Sequence, residues 1–109
     1  MATKTKATTT KRSNGKRPYV IVRCYGAGVH AGELVSIKGE HVTLVNSRRI
    51  WRWEGAASLS ELAVYGSQKP AGCKIAVQLD RVDLLDAKEI DYCQAAGEKF
   101  LREVPPWRA

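Results

Sequence analysis

The sequence predicts a small, β-rich α+β domain: an antiparallel sheet with a hairpin, one short capped helix and a C-terminal helix, preceded by a disordered basic N-terminal arm. Three observations carry this expectation. Short segments rich in β-branched and aromatic residues recur along the chain and are punctuated by glycine-bearing turns, the pattern of strands. Only two stretches show helical spacing, one near 59–65 and one near 94–103. Charge is segregated: residues 1–17 carry six Lys and Arg and no acid, whereas the rest carries 12 basic against 11 acidic residues within a net charge of +7.

With 109 residues the chain is expected to form one domain, 18–109, behind an arm, 1–17. The arm, built from Lys, Arg, Thr, Ser, Asn and Gly, has no apolar period to bury. Its Lys11, Arg12, Lys16 and Arg17 are candidate nucleic-acid contacts, since cations on a flexible arm neutralise phosphates in a salt-dependent way. The competing reading is a solubilising extension, or an arm that docks on a neighbouring copy. No run of about 18 apolar residues is present, so no membrane span is expected, nor does the N-terminus carry an apolar signal region. Cytoplasmic residence is therefore expected. Cys24, Cys73 and Cys93 are odd in number and widely spaced, the pattern of reduced, partly buried thiols rather than disulfides or a zinc site.

The first strand is read at 18–25, with Pro18 at its start, where a strand tolerates one. The run 26–32 holds three glycines and His30. Glycines there can bring backbone N–H groups to an anion, but the P-loop and dinucleotide-fold patterns are both absent, so a tight connection between strands is the stronger reading. His30 is expected to be structural. Segments 33–37 and 40–45 alternate around Lys38-Gly39 and read as a hairpin. Leu34 and Val35 are both apolar, which leaves two registers one residue apart, and Asn46-Ser47 breaks the second strand as a bulge or a turn.

The stretch 46–62 concentrates two of the three tryptophans and three arginines. In an extended chain Arg49, Trp51 and Trp53 share one side while Arg48, Ile50 and Arg52 share the other. Flat aromatics beside guanidinium groups can stack on a base and meet its phosphate, and can equally form half of a subunit contact. Ser58-Leu59-Ser60-Glu61 fits a capping box opening a helix over 59–65, with Gly66 as its stop. The small residues 55–57 let that helix approach the tryptophans, so its first N–H groups, Ser58 and Arg52 suggest an anion pocket. The candidate ligand-binding set is Arg48, Arg49, Trp51, Arg52, Trp53 and Ser58.

A strand is expected at 73–79, one or two more over 81–92, and a helix at 94–103 despite Gly97, stopped by Pro105-Pro106 ahead of Trp107. The five acids between Asp80 and Asp91 lack calcium-loop spacing and read as a solvated face, so no metal and no cofactor are expected. Catalysis has little support: the nucleophile-elbow and zinc-protease motifs are absent, and neither His30 nor His41 has a marked nucleophile beside it.

Through 32–39, Val42-Thr43-Leu44, Arg48-Arg49-Ile50-Trp51-Arg52-Trp53 and 55–63, the chain resembles a family of small, largely uncharacterised proteins of tailed bacteriophages and prophages, from Val22 to Trp107. The resemblance implies a phage or prophage origin, with residence in the host cytoplasm or the virion. Small phage proteins of this type coat particles, bind viral nucleic acid or block host defence. The chemistry of the Arg/Trp segment suits capture of a nucleotide-like immune signal by a homo-oligomer with pockets between subunits. The alternative is a virion or nucleic-acid-associated structural protein whose arm touches DNA or a neighbouring subunit.

Overall fold

A computed structural model describes residues 17–108 and shows a six-stranded antiparallel sheet with two helices. Lys11, Arg12 and Lys16 of the basic arm lie outside the described residues. The strands are β1 (Tyr19–Cys24), β2 (Val29–Lys38), β3 (His41–Arg52), β4 (Lys74–Ile75), β5 (Leu79–Leu84) and β6 (Ala87–Tyr92); the helices are α1 (Leu59–Tyr65) and α2 (Ala95–Glu103). The order is β4-β3-β2-β1-β6, with β5 also pairing β3 beside β4.

Strand β1 is buried on both faces, and both are apolar. Tyr19 and Ile21 point into a cluster with Ile50, Leu62, Ile75 and Leu101, under the helices, while Val20, Val22 and Cys24 point into a second cluster with Val42, Leu44 and Leu84. Each fully buried aliphatic side chain, such as Ile21, Leu44 or Leu101, stabilises the fold by about 1.5–3 kcal/mol relative to exposure. The second cluster exists because the sheet curls. The two-residue corner 85–86 joins β5, paired to β3, with β6, paired to β1, and Ala87 N–H donates to Glu40 O at 3.0 Å.

Of the two readings left open for Asn46-Ser47, the structure shows the bulge and not the turn. β3 runs through it, with Asn46 in the left-handed region (φ 50) and the pairing skipping from Glu33↔Val45 to Ala31↔Arg48, which is a bulge. Gly32 allows it: a Cβ there would lie 3.0 Å from Ser47 Cα. A further register shift between Leu34 and Ser36 resolves the Leu34–Val35 ambiguity, since Leu34 packs on the second cluster while Val35 is exposed. β2 begins at Val29, so His30 and Gly32 belong to a strand and not to the loop. The strand expected at 73–79 is only Lys74–Ile75; the chain then leaves that register and re-pairs as β5 from Leu79 opposite Ser47.

Both helices fall where the sequence places them. Ser58 caps α1 by accepting from Glu61 N–H at 3.1 Å, and Gly66 closes it at φ 77. Glu61 reaches back to the N–H of Ala57 at 3.0 Å, one residue beyond the Ser58 N–H of a capping box. α2 packs on α1 through Gly97, where a Cβ would drive into the carbonyl of Ala63. Beyond α2, Trp107 N–H donates to Ile75 O at 2.8 Å, and Lys74 sits 5.1 Å from the Trp107 ring centroid. Among the described residues no helix is long and apolar enough to cross a membrane.

Candidate functional site

The Arg/Trp segment forms the second half of β3, and strand alternation divides its members. Arg48 and Ile50 face the helices. Ile50 belongs to the core there, and the Arg48 side chain, 4 % exposed, lies among carbonyls at the end of α2. Arg49 and Trp51 take the other face and stack, with the guanidinium carbon 4.1 Å from the indole centroid. Trp51 is 55 % exposed, and among the described residues no carboxylate pairs with Arg49.

Arg49 leans on the turn between β1 and β2. An added Cβ at Gly28, itself at φ 85, would lie 3.2 Å from Arg49 Nη2, so the glycine makes room for the guanidinium. The turn is held from below by Asp86, whose Oδ2 accepts from Gly26 N–H at 2.6 Å. This carboxylate occupies a backbone donor that a phosphate-cradling loop would have offered. His30, opposite Arg49 in the β2–β3 ladder, donates Nε2–H to Ala27 O at 2.9 Å. Burial lowers its pKa, with the Ala27 carbonyl opposing and the Arg49 charge assisting, so the ring is neutral at pH 7. Cys24 lies beside the same turn, and burial followed by the Asp86 charge pushes its thiol up to about 11. It is a packed thiol that keeps its proton at neutral pH.

The remaining candidates are dispersed. Trp53 lies past the end of β3 and packs, half-buried, on the helix-side cluster; it does not share the Arg49–Trp51 face. The cause is the end of the strand at Arg52, after which alternation no longer holds. Arg52 is exposed and paired with the Glu54 carboxylate, and the Ser58 hydroxyl is committed to its cap. With Glu61 taking the Ala57 N–H as well, the anion pocket expected at the start of α1 is filled by the chain's own side chains. Arg48 is likewise removed from the surface set. It donates through Nε to Ala76 O (2.8 Å) and through Nη1 to Leu101 O (2.9 Å) and Val104 O (2.7 Å). Burial lowers its pKa, and the nearby Tyr19 works in the opposite direction. Arg17, the described end of the arm, lies 3.8 Å from Glu33.

Asp86 was not legible as a site residue, because it acts on a turn 60 positions earlier. Its only sequence signal is its place in a two-residue corner between strands. Asp80 and Asp83 on β5 are exposed, as a solvated face requires, but Glu89 and Asp91 on β6 are half-buried and Asp91 Oδ2 is buried, because β6 packs beside β1. Among the described residues no group of three or more His, Cys, Asp or Glu is placed to hold a metal ion.

No curated protein and no solved structure matches the chain. A family described as a domain of unknown function, DUF6948, matches residues 17–101, which takes in every strand and most of α2. The sheet, the 26–28 turn and the Arg49–Trp51 stack all fall inside that match, and the chain belongs to the DUF6948 family.

Proposed function

We propose that this protein is a non-catalytic binding module whose Arg49–Trp51 shelf captures an anionic, base-bearing ligand of the nucleotide class. The observation that carries the reading is the stack itself: an exposed indole with an arginine 4.1 Å over it and no described carboxylate neutralising that arginine. Stacking uses the flat face of a guanidinium and leaves its edge N–H donors free for phosphate oxygens. The exposed indole surface offers a base a stacking platform of about 1–3 kcal/mol. The protonated Cys24 and neutral, hydrogen-bonded His30 support binding rather than chemistry at this place. In the phage setting that the sequence resemblance implies, such a shelf would withdraw an immune signalling nucleotide from its receptor.

Calorimetric titration with adenosine and guanosine monophosphates and with a cyclic dinucleotide tests the reading. At least one should bind, and the Arg49→Ala and Trp51→Ala variants should each weaken it roughly tenfold or more. Equal binding by the variants, or no binding of any member, would overturn it. The charge segregation in residues 1–17 favours a second reading, a nucleic-acid-associated structural protein. Removing 1–17 separates the two: loss of salt-sensitive DNA binding with no effect of Trp51→Ala would favour the arm.

A further inference from the structure

A second site lies on the opposite face of β3. A groove of about 380 Å³ runs between the 76–78 link and the segment after α2, and Arg48, Val77, Gln78, Arg102, Val104 and Arg108 line it. Its charges are unequally compensated. Arg102 is paired with Glu98 (2.8 Å) and Glu33 (3.0 Å), and the one acid of the lining, Glu103, is taken by Lys99 at 2.7 Å. That leaves Arg48 and Arg108 without a carboxylate among the described residues.

Arg48 is the unusual member. Carbonyls take Nε and both Nη1 hydrogens, while Nη2 has only a 3.4 Å approach to Ile75 O, so at least one of five N–H donors has no described acceptor. The end of α2 supplies about half an elementary negative charge, less than a guanidinium carries. A cation 96 % removed from water with that remainder favours an incoming anion strongly, because local dielectric screening is weak. Apart from Gln78, the uncharged lining is apolar: Val77, Val104 and the prolines 105–106.

We propose that this groove binds a small amphiphilic carboxylate, its head on Arg48 and Arg108 and its apolar body against Val77 and Val104. The volume suits a compact molecule at the lower end of ligand pockets. The site is separate from the Arg49–Trp51 shelf, since alternation along β3 sends Arg48 and Arg49 to opposite faces.

Titration of the full, 15N-labelled chain with benzoate, and with benzamide as its neutral counterpart, tests this. Benzoate should shift the Gln78 and Val104 amides saturably, with a dissociation constant on the order of 1 mM or tighter, and benzamide should bind more weakly. Arg48 also holds the fold, so the variants are made at exposed positions. Arg108→Ala should weaken benzoate roughly threefold. Val77→Glu, which sets a like charge in the groove, should weaken it roughly tenfold. Arg49→Ala and Trp51→Ala should change neither value, which separates this site from the nucleotide shelf. Shifts that never saturate, equal affinity for benzamide, or wild-type binding by both Arg108→Ala and Val77→Glu would each overturn the proposal.

Discussion

Arg48 Nη1 donates to Leu101 O at 2.9 Å, tying the middle of β3 to the last turn of α2 across 53 positions of sequence. The same nitrogen reaches Val104 O at 2.7 Å and Nε reaches Ala76 O at 2.8 Å, so one side chain satisfies three main-chain acceptors from two segments. Arg48→Ala removes all three bonds and leaves buried carbonyls without partners, at an expected cost of about 3 kcal/mol or more. Arg49→Ala, one residue away, removes only an exposed stack and should cost about 1 kcal/mol or less. Urea unfolding of the two variants, compared at constant slope, checks the contrast.

Gly97 gives a prediction whose sign opposes helix propensity. Alanine is favoured over glycine inside a helix by about 1 kcal/mol, yet a Cβ at 97 would enter the Ala63 carbonyl and sit 2.8 Å from Leu62 O. Gly97→Ala should therefore destabilise, by about 1–3 kcal/mol, because α1 and α2 must separate to admit a methyl group. A melting temperature at or above that of the wild type would show that the helices are not in close contact there.

This glycine shows what the sequence could and could not reveal. Read locally, Gly97 only weakens the case for a helix over 94–103; its reason lies in α1, more than 30 positions away. Signals confined to a few consecutive residues were legible: the Ser58 cap, the Gly66 stop, the Gly39 turn and the exact span of α1. At Asn46 the sequence left a bulge and a turn open, since what decides for the bulge and carries β3 onward is pairing with β2 and the absent Cβ of Gly32. The site divided in the same way. Alternation correctly paired Arg49 with Trp51 and set Arg48 apart, but it does not extend past Arg52, so Trp53 was assigned to the wrong face.

Thiol reactivity offers an independent probe of both cores. Burial, then Glu98 and Asp91, pushes Cys93 up to about 12, and Cys24 lies at about 11 in the cluster on the other side of β1. Thiolate is the reacting form, so native protein at pH 7.5 should label at these two positions far more slowly than urea-unfolded protein. Mass spectrometry after timed iodoacetamide exposure reads each cysteine separately. Rapid native labelling of Cys24 would show that the curl of the sheet around it opens readily.

The last prediction concerns Asp91 on β6, whose Oδ2 is buried and accepts from no donor among the described residues. Burial, then a side-chain hydrogen bond to Glu89 and the charge on that neighbour, raises its pKa from 3.8 to about 6, with Arg23 opposing. Glu89 shifts down, since it accepts from protonated Asp91 and from Arg23. A carboxyl that holds its proton more tightly when folded favours the fold most at low pH. Its contribution is fully present below about pH 4 and is lost as pH rises through about 6, where the folded state must carry an ill-solvated charge. Glu33 runs the other way: burial works upward, but Asn46 and Arg102 outweigh it and lower its pKa, so its contribution falls away in acid. Asp91→Asn removes the first effect and keeps the second. The variant should melt higher than wild type at pH 8, and the gap should close as pH falls from 6 to 4. A difference in melting temperature that stays constant across that range would mean that Asp91 titrates as an ordinary surface carboxylate.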